Sequence, residues 1–196
     1  MRVSRLRISA SGISVARRPL PTLRSIVRHL LPVLLLLISV PAQAQTLDEI
    51  DKREAAVIEA WQQTPLTIRR AIFVASDPEL FGNYEPRQSN TFKPGEKLLA
   101  YVEPVGYSWK DSGDGFCEFG FDVDFLLKSP DGKILTGKEN FAHLVKKSRN
   151  RLREFFVTLT MNVSGAPPGD YVLEYKLRDI SGNKSTVMDL PFKIAE

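Results

Sequence analysis

Residues 116–128 leave a chain of this kind few ways to fold. The odd positions are Cys117, Phe119, Phe121, Val123, Phe125 and Leu127, all apolar, whereas the even ones are Glu118, Gly120, Asp122, Asp124, Leu126 and Lys128. Successive side chains of a β-strand point to opposite faces, so a period of two makes one greasy face and one wet face. The run is about twice the length of a usual strand. With Phe116, Phe119, Phe121 and Phe125 among its residues, it predicts a central strand on which a second layer packs. The same parity turns the Cys117 thiol inward, where a buried, inert sulfur is expected.

The rest of the chain supplies the partners for such a strand. Thr46-Leu47-Asp48-Glu49 fits a capping box, and Leu47, Ile50, Val57, Ile58 and Trp61 recur at helical spacing until Pro65. This predicts a helix within 45–65 that either covers one edge or end of the domain or docks a partner. Strands follow at Ile68 to Val74 and from Lys97 to about Pro104. Between them, residues 75–94 are rich in Gly, Pro and Asn and read as a long loop lying partly flat on the domain, with Pro86 tolerated in an edge strand. After the central strand, Ser129-Pro130-Asp131-Gly132 is a tight turn and Ile134-Leu135-Thr136 a return. Residues 137–153 are charged and predict an irregular connection. Phe155, Val157, Leu159, Met161 and Val163, then Tyr171, Leu173, Tyr175 and Leu177, then Thr186, Met188, Leu190, Phe192 and Ile194 each alternate with polar neighbours. About seven strands with turns at short intervals predict an all-β, two-sheet antiparallel sandwich over 66–196.

Two motifs carry a resemblance. Pro168-Gly169-Asp170-Tyr171 before the penultimate strand, and Phe92-x-Pro94-Gly95-Glu96 before the second, resemble immunoglobulin-like and fibronectin type III-like domains of exported bacterial proteins. The resemblance implies an immunoglobulin-like two-sheet β-sandwich with a short N-terminal α-helix, in which Tyr171 is similar to the corner tyrosine of that fold. The Cys…Trp…Cys spacing of antibody domains is absent. Phe81-Gly82-Asn83-Tyr84-Glu85-Pro86-Arg87 is distinctive, but it points to no activity.

Charge depends on what is removed. The chain holds 27 Lys and Arg against 23 Asp and Glu, but seven of the arginines and no acid lie in the first 44 residues. Those residues continue into an apolar run from Leu30 to Val40 and then Pro41-Ala42-Gln43-Ala44. A basic start, a short apolar stretch and an A-x-A site predict a secretory signal peptide over 1–44, cleaved after Ala44. The apolar run is shorter than the roughly 20 residues of a spanning helix, so no transmembrane anchor is expected after cleavage. The remaining 20 bases against 23 acids give a net charge of −3, which argues against nucleic acid as a partner. A periplasmic or secreted location follows.

Little of the chain suggests a reaction. Past residue 44 it has one Cys, Cys117, and one His, His143, too few for a zinc site of the usual ligands. Asp111-Ser112-Gly113-Asp114-Gly115 is similar to a calcium loop but places glycine where oxygen ligands belong. No cofactor is expected. Glu103, Glu118, Asp122 and Asp124 offer carboxylates for a glycosidase-like envelope hydrolase, the alternative to a non-catalytic binding or structural module of the envelope. Two binding surfaces suggest themselves for a protein or an anionic envelope component. One is the basic run Lys146, Lys147, Arg149, Arg151 and Arg153. The other is the aromatic pair Tyr107 and Trp109 beside a turn.

Overall fold

From Phe119 to Val123 every second side chain of the central strand is sealed from solvent. A computed structural model describes residues 46–196, and the predicted signal peptide lies outside the described residues. Among the described residues one helix, α1 (Leu47–Gln63), precedes nine strands: β1 (Thr67–Phe73), β2 (Thr91–Phe92), β3 (Lys97–Val105), β4 (Lys110–Asp111), β5 (Cys117–Lys128), β6 (Ile134–Ser148), β7 (Val157–Asn162), β8 (Gly169–Asp179) and β9 (Ser185–Ile194). The fold is therefore mostly β. Three antiparallel strands form one sheet in the order β1-β3-β7. The other runs β2-β9-β8-β5, with β6 and the two-residue β4 also pairing β5.

Phe119, Phe121 and Val123 of β5 are 0 % exposed. Val123 sits opposite Leu177, Phe125 opposite Tyr175, and Leu127 opposite Leu173, so the inner faces of β5 and β8 continue one another. Apolar residues of both sheets join them in one core. At one end Phe73 meets Phe92 edge-on at 5.0 Å and Phe192 at 6.3 Å. At the other, Tyr107 stacks on Phe119 at 5.4 Å. Burying each such side chain contributes about 1.5–3 kcal/mol.

Three expectations need correction. Residues 137–148 are not an irregular connection, because β6 pairs with β5 along nearly its whole length. The pairing is broken once. Val123 faces Ala142 and Phe125 faces Lys138, so Asp124 alone opposes residues 139–141. Asn140 takes a left-handed φ of 50° there, a conformation that Asn tolerates. The Asp124 carboxylate accepts the Asn140 N–H at 2.8 Å and the Arg178 guanidinium at 2.9 Å. It anchors a bulge rather than standing free in solvent. Cys117, expected inside, is half-buried. It starts β5 beyond the end of the core, and its thiol lies 3.2 Å from the carbonyls of Ser148 and Asn150.

The third correction concerns α1. Its apolar stripe is largely exposed: Leu47 by 71 %, Ile50 by 51 % and Val57 by 49 %. Only Trp61 is buried, and the helix is held at its C-terminal end. The Trp61 indole donates to the Tyr107 carbonyl at 2.8 Å. Lys184 Nζ donates to the carbonyls of Gln62, Thr64 and Gly106 at 2.7, 2.8 and 2.7 Å, placing a cation where the helix dipole is negative. Gly106 permits this approach: its φ is +82°, and a Cβ would lie 2.5 Å from the Pro65 carbonyl oxygen.

The glycine-rich loop does lie flat, and its distinctive segment has a structural role. It covers the outer face of the three-stranded sheet over Tyr101, which is 0 % exposed. Gly82 N–H donates to the Tyr101 hydroxyl at 2.9 Å, and Tyr84 packs on the ring at 4.4 Å. Pro86 bridges to Val74, and Arg87 lies over the Phe92 ring and pairs with Glu96. Burial, reinforced by the neighbouring Glu103 carboxylate that accepts the hydroxyl proton, pushes the Tyr101 phenol up to about 12. Burial also raises Tyr107 and Tyr175. The unfolded chain releases these protons near pH 10, while the folded chain keeps them. Stability therefore falls as pH rises from about 10 towards 12. Denaturant titrations at about pH 9, 10 and 11 should show a falling midpoint, and a midpoint flat across the series would contradict this account.

Candidate functional site

The basic run does not form one patch. Lys146 and Lys147 belong to β6, whereas Arg149, Arg151 and Arg153 lie in the link that crosses to β7. Lys147 Nζ is 3.8 Å from Glu118, its cross-strand neighbour, and 4.0 Å from Asp114. The Arg149 guanidinium covers the Phe116 ring at 4.4 Å. Arg153 reaches Glu54 of α1 at 3.2 Å. Among the described residues, Lys146 and Arg151 are the members with neither an ion pair nor a ring partner. Thus Arg151→Gln and Lys146→Gln should leave the melting temperature nearly unchanged. Arg153→Gln, which loosens α1, should lower it by a few degrees, roughly 1 kcal/mol. Equal melting temperatures for all three variants would refute this division.

The aromatic pair does not form a recognition platform either. Tyr107 is 0 % exposed and its hydroxyl donates to the Leu152 carbonyl at 2.8 Å. Trp109 stacks on Trp61 at 5.7 Å and donates to the same carbonyl at 3.2 Å. The two rings close the end of the core and fix the link above them.

What the rings fix is one wall of a groove of about 830 Å³. The link carries the chain from β6 at the edge of one sheet to β7 at the edge of the other, and the groove opens between those edges. Residues 143–147 of β6 form one wall, residues 152–158 another, and the loop at 77–81 the third. Phe119, Leu144 and Phe155 line it. Phe155 is held by Phe119 at 5.1 Å and Tyr107 at 6.0 Å. At the rim Leu80 is 64 % exposed, Leu152 40 % and Val145 39 %. Sequence reasoning missed this site because its walls come from three segments far apart in the chain, which only the fold brings together.

The carboxylates raised as catalytic candidates are each engaged separately. Glu103 is buried on β3, accepting the Tyr101 hydroxyl at 2.9 Å with Arg70 at 3.8 Å. Glu118 faces Lys147, and Asp124 holds the bulge. Asp122 lies 2.6 Å from His143 Nδ1. Among the described residues no group of three or more His, Cys, Asp and Glu is placed to hold a metal ion. The turn at Asp111 to Gly115 closes on itself instead, with the Gly113 N–H donating to Asp111 at 2.8 Å and the Phe116 N–H to Asp114 at 3.2 Å.

No protein family matches this chain, and no curated protein matches it. The site's chemistry rests on its own geometry: an apolar trough, a lysine at its rim that has no ion-pair partner among the described residues, and a strand edge along one side.

Proposed function

We propose that the protein is an exported binding module built on an immunoglobulin-like β-sandwich, and that it holds a protein partner in the groove between β6 and the β6–β7 link. The observation that carries this reading is the groove's apolar lining, in which Leu80, Leu144, Leu152 and Phe155 come together from three separate segments. Apolar surface gathered in a concavity gains by being covered.

Two features support the immunoglobulin-like topology. Lettered by chain order, β1, β3 and β7 match the A-B-E sheet, and β9, β8, β5 and β6 match G-F-C-C′. Tyr171 opens β8, and its hydroxyl donates to the Pro167 carbonyl at 2.7 Å, the bond that defines a tyrosine corner. Export rests on the basic, apolar and A-x-A succession of the first 44 residues, and the exported chain should begin Gln-Thr-Leu-Asp.

A photo-crosslinking residue in place of Leu152, which lines the groove and is 40 % exposed, tests the binding site in the protein's native envelope. A discrete protein adduct should form from position 152 and not from Lys133, in the turn between β5 and β6. Equal adducts from both positions, or none from 152, would remove the groove as the site.

A further inference from the structure

We infer that the groove's partner is an extended peptide segment that adds a strand to the free edge of β6. It would place one carboxylate against Lys146 and, two residues away on the same face, an apolar side chain against Leu144. This rests on the groove being the binding site and adds the chemistry of what fills it.

Three observations carry the inference. First, β6 pairs only with β5, and no backbone group at 143–147 bonds to another element among the described residues. Alternate N–H and C=O groups of an edge strand point away from its neighbour, so this stretch is a template for another strand. Second, the register assigns the faces. Lys146 lies opposite Phe119 and Leu144 opposite Phe121, both inward residues, so Leu144 and Lys146 share the face that looks into the groove. A strand laid along the edge presents its own side chains there at the same two-residue spacing. Third, the charges are complementary to one acid and no more. Lys146 is exposed and has no carboxylate within 4.0 Å among the described residues, so an incoming Glu would meet an uncompensated cation. Asp77 and Glu79 stand on the opposite wall and would repel a polyacidic chain. The site therefore selects an alternating segment rather than an anionic polymer.

The probe is an acetylated, amidated peptide Ser-Thr-Glu-Val-Ile-Thr-Ser, titrated into the isotope-labelled exported chain and followed by amide NMR. Saturable shifts should map to 143–147 and to the groove walls. Replacing the peptide's Glu by Lys should weaken binding by about fivefold to tenfold, and Lys146→Glu in the protein should reverse that preference. N-methylating the amides on one edge of the peptide should abolish binding, while methylating those on the other edge leaves it within about threefold, because strand addition uses a single edge. Shifts elsewhere, tolerance of both methylated sets, equal binding of the Glu and Lys peptides, or tighter binding of polyglutamate would each overturn strand addition. A crosslink from position 152 without peptide binding would overturn this inference and leave the groove standing. Loss of both would remove both.

Discussion

Phe121→Asp leaves the chain unfolded, whereas Asp122→Ser changes its stability by less than about 1 kcal/mol. The two positions are adjacent in β5 and differ only in face. Phe121 is 0 % exposed, edge-on to Tyr107 at 5.7 Å and stacked with Phe155 at 6.3 Å. Losing such a ring costs about 3–5 kcal/mol, out of a total stability of about 5–15 kcal/mol for a domain. The new carboxylate would add to this, since Phe121 sits directly opposite Asp179. Asp179 is itself buried and already receives the N–H groups of Ser108 at 2.7 Å and Ser181 at 2.9 Å. Two carboxylates would then face each other in the core without a cation. Asp122 by contrast lies on the outer face, opposite Arg178 and paired with His143, whose side chain is 66 % exposed. Circular dichroism and urea titration of the two variants decide the matter. If they are equally destabilised, the outer face of β5 is covered as thoroughly as the inner one.

Trp61→Ala is expected to cost about 3–5 kcal/mol and to free α1 from the rest of the chain. Trp61 is the one buried side chain of the helix. Its ring meets Tyr107 edge-on at 5.2 Å, and its N–H satisfies the Tyr107 carbonyl. Removing it empties the space between Trp109 and Tyr107 and leaves that carbonyl without its donor. The ion pair Arg153–Glu54 and the Lys184 contacts are then too exposed or too few to hold a helix whose other apolar residues face solvent. Hydrogen exchange should quicken along the whole of α1 while β5 and β8 stay protected. Unchanged exchange in the helix would mean that its stripe is packed against something other than the contacts described above.

Strands with one strongly apolar face were legible in the sequence. In β5, β7, β8 and β9 the apolar alternation is unbroken, and Val123, Phe125 and Leu127 of β5 each lie opposite an apolar or aromatic residue of β8. β6 was not legible, for two physical reasons. Its positions of inward parity include Lys138 and Lys146 beside Ala142 and Leu144, because the edge of a sheet is only half covered and charge there discourages stray pairing. The bulge at 139–141 then breaks the period of two that identifies a strand. The helix stripe was visible, but periodicity reports an amphipathic element without saying what covers it. Tyr107 and Trp109 illustrate the same limit, since aromatic residues beside a turn look alike whether they close a core or face a ligand. The charges of the basic run were plain, and their partners were not. Glu118, Phe116 and Glu54 lie far from it in sequence or across a strand pair, and only register brings them together.

The bulge at Asn140 also bears on how far copies of this chain could extend the sheet from its free edge. An uninterrupted edge of fifteen residues, the length of β6, would let copy after copy extend the sheet, which is how fibres begin. Asp124 and Arg178 hold Asn140 in a bulge whose two surplus residues divide that edge into two short runs. A guest strand can follow the run beside the groove, but it loses register on reaching residue 141. The irregularity that hid β6 from sequence analysis thus leaves room for a brief, terminated pairing and denies the long flat edge that self-assembly needs.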